Sequence, residues 1–205
     1  MPELYLASKS PRRLSILKSM GLEDIVVLTV GEARLTAYEG DEERLEGETP
    51  ADYVARVALG KAKAIFDRIV REKLPRAPVL AADTAVILGD AILGKPRDAT
   101  EEKAFLRALS GKTHEVRTVA VLLDDGRIET RVSVNRVHFK ELSESEIERY
   151  AASEEPYDKA GGYAIQGLAA LFIDKIEGSY SGIMGLPVFE TAELLKPYRL
   201  PKPFF

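Results

Sequence analysis

The feature that most constrains the fold is a pair of long β-rich segments near the middle of the chain. They span residues 115–123 and 127–139, and Asp124-Asp125-Gly126 lies between them. An Asp-Gly pair flanked by strand patterns is a strong signal for a β-hairpin turn. Elsewhere, short apolar runs alternate with helical patterns, which is typical of α/β proteins. Because a hairpin is antiparallel, the sequence predicts an α/β fold with a mixed sheet.

Local signals give the predicted elements their bounds. Ser10 and Pro11 suit the N-cap and first position of a helix that Gly21 ends, and Ser143 with Glu146 forms a capping-box pattern for a helix to about residue 152. The other patterns predict strands over 4–7, 25–30, 79–82, 85–88, 92–93 and 169–176, and helices over 50–71, 100–109 and 189–195, the second of these capped by Thr100. Two further segments, 31–49 and 178–187, are predicted to be loops, the first acidic and mobile.

Composition narrows the chemistry. The 205 residues are 45% hydrophobic and 30% charged, which predicts one globular domain over residues 1–205. The absence of cysteine excludes disulfides, thiolate metal sites and a cysteine nucleophile. A formal charge of −4 gives no overall basic field for a nucleic-acid polymer. No apolar run reaches 18 residues and no export signal is visible, so we expect no membrane contact and a cytoplasmic location.

Cations cluster where the first helix begins. Arg12 and Arg13 fall in its first turn and Lys9 lies just before it, although the partial positive charge there disfavours cations by roughly 0.3–1 kcal/mol each. A phosphate would resolve this conflict, since free backbone N–H groups and two guanidinium groups would all face one anion. The alternative is a pair of solvated surface arginines.

A carboxylate interrupts an apolar run at Asp83. A buried, unpaired carboxylate is costly, so Asp83 is expected at a strand end facing a cleft, where it either binds a metal or activates water. An aspartate that merely ends the strand is the alternative. Residues 89–96 nearly match a P-loop, but Pro96 replaces the metal-binding hydroxyl, which leaves Lys95 in a tight turn as a candidate phosphate ligand or a plain surface lysine.

The late glycine loops carry weaker signals. Gln166, in the segment 158–167, has an amide that donates and accepts, which matches the O4 and N3–H edge of uracil or thymine. Tyr163 is a candidate to border the base. His114 and His138 lie in β-rich stretches without recognisable catalytic partners and are predicted to be structural or exposed.

Several of these stretches together resemble the Maf family of nucleoside triphosphate pyrophosphatases. The resemblance rests on Leu6-Ala7-Ser8-Lys9-Ser10-Pro11-Arg12-Arg13, Ala82-Asp83-Thr84, Leu93-Gly94-Lys95-Pro96, Leu109-Ser110-Gly111-Lys112-Thr113-His114, Asp158-Lys159-Ala160-Gly161, Ile165-Gln166-Gly167 and Gly185-Leu186-Pro187. It implies one Maf-like domain in which an elongated, twisted mixed sheet with flanking helices forms two lobes around a deep cleft. It also implies hydrolysis of a nucleoside triphosphate to the monophosphate and pyrophosphate with a divalent metal cation, Mg²⁺ or Mn²⁺.

The resemblance also assigns roles to residues. Asp83 matches the catalytic carboxylate and metal ligand. The positions tied to substrate choice match Arg12, Thr84 and Gln166. The cationic positions around the phosphates match Arg13, Lys61 and Lys95. The Ile-Gln-Gly form of the late loop is similar to the subgroup acting on dTTP and UTP. The alternatives are a pyrophosphatase for modified purine or 7-methyl-GTP nucleotides and a non-catalytic nucleotide-binding regulator of cell division. A homodimer is possible.

The sequence departs from the family pattern in two places. The late loop has Gly161-Gly162-Tyr163-Ala164 where the family usually has Gly-Ala-Tyr-Gly. The segment 31–49 is longer than usual, and the family's acidic site residue there matches either Glu32 or Glu42.

Overall fold

The computed structural model describes residues 2–29 and 43–202, which form a seven-stranded mixed sheet with helices on both faces. The strands are β1 (Leu4–Leu6), β2 (Ile25–Val27), β3 (Val79–Leu88), β4 (Ala91–Leu93), β5 (Thr113–Asp124), β6 (Arg127–Phe139) and β7 (Ile173–Glu177). The helices are α1 (Pro11–Ser19), α2 (Pro50–Glu72), α3 (Ala99–Leu109), α4 (Glu144–Ala151), α5 (Tyr180–Met184) and α6 (Val188–Leu195). The predicted α/β class with a mixed sheet is confirmed.

The sheet combines a small parallel part with a larger antiparallel part. Its strand order is β2-β1-β3-β5-β6-β7, with β4 also pairing to β3. β1 runs parallel to β2 and β3, and the other pairings are antiparallel. The predicted hairpin joins β5 to β6 through Asp125 and Gly126, whose φ angles of 43° and 86° are those of a tight two-residue turn.

An open stretch along one edge of β3 places the site. β5 covers one edge of β3 from Val79 to Ile87. On the other edge, β1 pairs only near Val79 and Leu80, and β4 pairs only from Val86 onwards. The edge in between is open, and the chain leaves β1 there towards α1. Because successive strand residues point to opposite faces, Asp83 and Thr84 project to the two sides of the sheet at this opening.

Three clusters of buried apolar residues pack the helices against the two faces of the sheet. On the Asp83 face, α2 packs over β3 and β5 through residues such as Val54, Ala58 and Ile65. On the Thr84 face, α1 and α6 form one cluster with Leu6, Leu80 and Leu122, and α3 and α4 form another with Val86, Val137 and Phe139.

Several local signals predicted from the sequence are confirmed. Ser143 and Glu146 form a full capping box at α4, and Ser10 and Pro11 take the N-cap and first positions of α1. Thr49, which was not predicted as a cap, caps the long helix α2 by accepting a hydrogen bond from the Asp52 backbone N–H. At α3, however, the N-cap is Asp98, whose carboxylate accepts hydrogen bonds from two backbone N–H groups, and Thr100 lies inside the helix. Thr100 was therefore the wrong cap.

Three predicted segments differ from the structure. Asp83 and Thr84 do not break a strand, because β3 continues through them and Asp83 lies in mid-strand rather than at a strand end. Residues 168–171 form a 3₁₀ turn, so the last strand begins only at Ile173. The predicted loop over 178–187 contains the short helix α5. The predicted acidic loop lies partly outside the described residues, which omit 30–42 and with them both Glu32 and Glu42.

Within the described ranges, no helix combines the length and apolar character that crossing a bilayer requires.

Candidate active site

A cavity of about 580 Å³ lies at the open edge of β3. It is bordered by the start of α1, the turn after β4, the segment 158–166 and the end of α5. All the site residues predicted from the sequence line this one cavity, namely Arg12, Arg13, Lys61, Asp83, Thr84, Lys95 and Gln166. The fold therefore brings together residues that are as far apart in the chain as Arg12 and Gln166.

A carboxylate and an ammonium group meet on one side of β3. The Lys61 Nζ, from α2, donates to Asp83 Oδ1 at 2.7 Å. Their side chains are only 15% and 13% exposed, so the pair is largely shielded from bulk solvent. Such a charge-assisted bond fixes the carboxylate plane. The other oxygen, Oδ2, accepts no hydrogen bond from a described residue and is available to a ligand.

On the other side of β3, Arg13 connects three elements. Its Nε donates to the Gly185 carbonyl at 2.7 Å, while its Nη1 and Nη2 donate to Ser8 Oγ at 3.3 Å and Thr84 Oγ1 at 3.2 Å. These bonds tie α1 to β3 and to the end of α5. The phosphate-binding role of Arg13 stays a prediction. The structure shows in addition that its hydrogen bonds hold the residues of the cavity wall together.

The Thr84 hydroxyl belongs to a directed chain of hydrogen bonds. Thr118 Oγ1, fully buried on β5, donates its single proton to the Gly182 carbonyl at 2.8 Å. Thr84 Oγ1 lies 2.9 Å from Thr118 Oγ1 and must therefore be the donor in that pair, while it accepts from Arg13. Thr84 has no proton left for a substrate base. The role in substrate choice predicted for Thr84 stays a prediction, and the structure shows in addition that its hydroxyl helps to orient Arg13.

Arg12 faces a second acidic group at the cavity mouth. Its Nη1 lies 3.6 Å from Asp158 Oδ2, and Lys159 contacts the same side chain. Partial burial raises the pKa of Asp158, but the hydrogen bond and charge of Lys159 and the charge of Arg12 outweigh it and hold the pKa below its usual value. Arg12 is 27% exposed, which leaves part of its guanidinium open to the cavity.

The turn that carries Lys95 is joined to the late glycine loop. The Gly161 N–H donates to the Gly94 carbonyl at 2.8 Å. A Cβ on Gly161 would lie 2.7 Å from the Val86 side chain, and its φ of 70° favours glycine, so the close approach depends on this residue. Lys95 itself is exposed, and within the described part of the chain no acidic group pairs with it.

The loop over residues 158–167 exposes the side chain of Gln166 and buries that of Tyr163. Gln166 is exposed, and its amide has no hydrogen-bond partner among residues 2–29 and 43–202. The Tyr163 hydroxyl lies 2.6 Å from His114 Nε2 inside the protein, so this hydroxyl is engaged within the core although the residue lines the cavity. Burial lowers the pKa of His114 to about 4, so the imidazole is neutral near pH 7. The prediction that His114 is structural is confirmed.

Some residues that shape the cavity were not predicted from the sequence. Ser8 accepts hydrogen bonds from Arg13 and from the Ser10 backbone, and only its place in the 6–13 motif pointed to it. Asn135 on β6 accepts from the Ser179 N–H at 2.7 Å and donates to the Val116 carbonyl at 3.0 Å, which seats the start of α5. No sequence signal identifies such a buried polar residue within a long strand.

The charge of the cavity contrasts with that of the chain. Among its described lining residues, two are carboxylates, Asp83 and Asp158, and six are cationic, namely Lys9, Arg12, Arg13, Lys61, Lys95 and Lys159. The whole chain has a formal charge of −4. This concentration of positive charge favours a polyanion.

The donor set also suits a magnesium-like ion brought in with its ligand. No group of three or more His, Cys, Asp or Glu side chains is arranged as a metal site in the part of the chain that the structure describes. Mg²⁺, however, needs only one or two carboxylates when phosphate oxygens and water complete its shell. Asp83 Oδ2 offers the required oxygen.

The fold and the cavity define a class: an α/β protein whose cationic cleft surrounds one carboxylate and suits a polyphosphate. The chain belongs to the Maf family, since the family model described as Maf-like protein matches residues 3–198. The resemblance noted in the sequence is thereby confirmed.

Relatives match over nearly the whole chain. A protein of Cupriavidus pinatubonensis named dTTP/UTP pyrophosphatase is 50% identical over 201 residues, covering 96% of this chain and 97% of its own. A protein of Bordetella avium with the same name is 50% identical, covering 95% of this chain and 94% of its own. Among solved structures, the Ham1 protein of Staphylococcus aureus matches with a TM-score of 0.41 and 14% identity over 66% of this chain and 71% of its own, which is too distant to inform the site.

Proposed function

We propose that this protein is a nucleoside triphosphate pyrophosphatase that hydrolyses dTTP and UTP to the nucleoside monophosphate and pyrophosphate. The observation that carries the proposal is the shielded Asp83–Lys61 pair inside a cavity lined by six cationic side chains. The names of the relatives, which are about half identical over nearly their full length, support the same reaction and the same bases.

The reaction is the attack of water on the α-phosphorus. A new P–O bond forms as the bond to the bridging oxygen between the α and β phosphorus atoms breaks, and pyrophosphate leaves with that oxygen. Lys61 holds the Asp83 carboxylate in place, and Asp83 Oδ2 either accepts the proton of the attacking water or ligates the metal ion. Arg12, Lys95 and Lys61 offset the charge of the phosphates.

A divalent cation, Mg²⁺ or Mn²⁺, is the proposed cofactor. Asp83 would hold it together with phosphate oxygens, and when bound it would neutralise phosphate charge. Because nucleoside triphosphates are made and used in the cytoplasm, we also propose a cytoplasmic location.

Base selection is assigned to Gln166. Its amide can donate to O4 and accept from N3–H, the pattern shared by thymine and uracil, and within the described residues no competing partner engages it. Cytosine presents the opposite pattern at these positions, so the preference requires that the amide be held with its NH₂ group towards position 4 of the base.

The defining experiment incubates the protein and Mg²⁺ with the common nucleoside triphosphates, modified purine triphosphates and 7-methyl-GTP, and then separates the products. We expect monophosphate and pyrophosphate chiefly from dTTP and UTP. Turnover of the modified purines or 7-methyl-GTP alone would replace the substrate assignment. Binding without turnover would instead favour a nucleotide-binding regulator.

Asp83→Asn tests the chemistry. The amide can neither accept the water proton nor supply a charged metal ligand, so kcat should fall by roughly 10²–10⁴-fold, the usual range for losing a general base. Binding of dTTP, measured by calorimetry, should persist because the cationic residues remain. The matched control is Asp67→Asn, an exposed aspartate on α2 outside the cavity, which should keep full activity. An unchanged kcat for Asp83→Asn would remove this residue from the chemistry.

A further inference from the structure

Glu155 contacts the loop that carries Gln166 through its side chain. Its Oε2 accepts a hydrogen bond from the Leu168 N–H at 2.8 Å, and its Oε1 accepts one from the Ala169 N–H at 3.2 Å. These N–H groups open the 3₁₀ turn over residues 168–171, where no preceding turn supplies acceptors. One carboxylate thus satisfies two otherwise unpaired backbone donors, two and three residues after Gln166.

The contact with the loop is also close. A Cβ on Gly167 would lie 2.2 Å from Glu155 Oε2, so the carboxylate occupies the space that a side chain at this position would need. Gly167 is the residue next to Gln166, and its own N–H closes a turn onto the Ala164 carbonyl at 3.0 Å. The backbone on the C-terminal side of Gln166 is therefore pressed against Glu155.

Glu155 is anchored in turn to the protein core. The Tyr150 hydroxyl, on α4, donates to Glu155 Oε1 at 2.9 Å, and Tyr150 is buried in the cluster that contains Phe139 and Phe172. A continuous path of contacts thus leads from the core through Tyr150 and Glu155 to the backbone around Gln166.

The Gln166 side chain has no comparable support of its own. In the described ranges its amide makes no hydrogen bond, so its backbone alone sets where the amide can reach. Glu155 is the charged side chain that fixes this backbone.

We propose that Glu155 is a positioning residue that sets base selectivity by holding Gln166 where its amide can hydrogen-bond to the substrate base. This inference rests on the proposed function. Glu155 does not line the cavity that holds the Asp83–Lys61 pair, so its contribution falls on discrimination between bases rather than on hydrolysis itself.

The test measures kcat/KM for dTTP and for dCTP, which share the sugar and the triphosphate and differ in the base. For Glu155→Ala, the ratio of the two values should fall about tenfold, because Gln166 loses the alignment of its hydrogen bonds to the base. The value for dCTP should change little. The matched control is Glu154→Ala, an exposed neighbour outside the cavity, which should keep the wild-type ratio.

Two further variants separate positioning from general destabilisation. Tyr150→Phe removes only the hydroxyl that anchors Glu155 and should lower the ratio in the same direction by a smaller factor. In a Gln166→Ala background, Glu155→Ala should not reduce the ratio further, since both changes act through the same amide.

The possible results are distinguishable. A wild-type protein that does not prefer dTTP over dCTP would overturn the base assignment of the proposed function itself. A selective wild type whose Glu155→Ala and Tyr150→Phe variants keep the full ratio would overturn only the role of Glu155. Equal losses for both substrates, with a lower Tm, would also reject positioning in favour of a structural role.

Discussion

At the residue scale, Glu102 explains the departure from the family pattern at Gly162. This glutamate, on α3, is fully buried, and neither carboxyl oxygen has a hydrogen-bond partner within the described residues. A Cβ on Gly162 would lie 1.8 Å from Glu102 Oε2, so the carboxyl group fills the space that an alanine at 162 would need. The two residues are thus complementary in size beneath the late loop.

Glu102 should make stability depend on pH. Burial raises its pKa from 4.5 to about 9, so the folded state keeps a proton that the unfolded chain loses above pH 4.5. Its contribution to the free energy of unfolding is therefore largest below pH 4.5 and falls as pH rises towards 9. By pH 7 the loss amounts to roughly 3 kcal/mol, at 1.36 kcal/mol per pH unit.

The variant Glu102→Gln keeps the size and shape of the side chain, but this side chain cannot ionise. Urea unfolding at several pH values should show that it gains stability relative to the wild type between pH 5 and 8. Glu148→Gln, an exposed glutamate on α4, serves as the control and should follow the wild-type profile. Parallel profiles for the wild type and Glu102→Gln would show that Glu102 is not protonated in the folded protein.

The sequence identified residues that line the cavity, but not the contacts that each of them makes. The charged residues of the cavity stand in recognisable motifs, so Asp83, Lys95 and Arg12 were found. Arg12 and Arg13 are adjacent and chemically identical in sequence, yet only Arg13 donates to Gly185, Ser8 and Thr84. That difference arises from tertiary partners far away in the chain, which local patterns do not contain.

At the element scale, α5 shows why a short helix escapes prediction. It has five residues, two of them small, and its position depends on contacts with β6 rather than on helix propensity. A Cβ on Gly182 would lie 2.5 Å from Ser133 Oγ and 2.9 Å from Asn135 Nδ2. The helix therefore lies directly on the polar side chains of the strand.

Gly182→Ala should disturb this contact. We expect the free energy of unfolding to fall by about 1–3 kcal/mol, the usual range for overpacking a well-packed interior. KM for dTTP should rise, because the end of α5 holds Arg13 through Gly185. Adding Ser133→Ala should recover part of both losses, since it removes the closest atom. A double variant no better than Gly182→Ala would assign the defect to another cause.

The strands show which parts of the sheet adjacent residues can predict and which parts depend on distant ones. The β5–β6 hairpin could be predicted because its turn is encoded by adjacent residues. The bounds of β6 match the prediction, and β5 is longer by two residues at its start and one at its end. β3 was split in two because a carboxylate looks unfit for a strand interior. The open edge beside Asp83 and the ammonium group of Lys61 make it acceptable, and both are set by distant parts of the chain.

At the scale of the whole molecule, the chain is acidic while its cavity is cationic. Attraction of a triphosphate to this cavity should weaken as salt screens the field. KM for dTTP should therefore rise with ionic strength.

Lys95→Gln tests this directly, because Lys95 is exposed and lies at the cavity. Loss of its charge should raise KM about fivefold, equivalent to ~1 kcal/mol for one solvated charge pair. It should also reduce the salt dependence. Lys112→Gln, an exposed lysine outside the cavity, should leave both unchanged. Equal effects for the two variants would mean that net charge, not this site, governs binding.

The alternation along β3 has a consequence for how such a site can diversify. Asp83 meets Lys61 on one side of the sheet, and its neighbour Thr84 meets Arg13 on the other. Inserting or deleting one residue just before Asp83 would turn both side chains to the opposite faces of the sheet, so that the carboxylate would leave the Lys61 side and the hydroxyl would leave the Arg13 side. Evolution of this segment is thus restricted to replacing side chains at fixed positions along the strand.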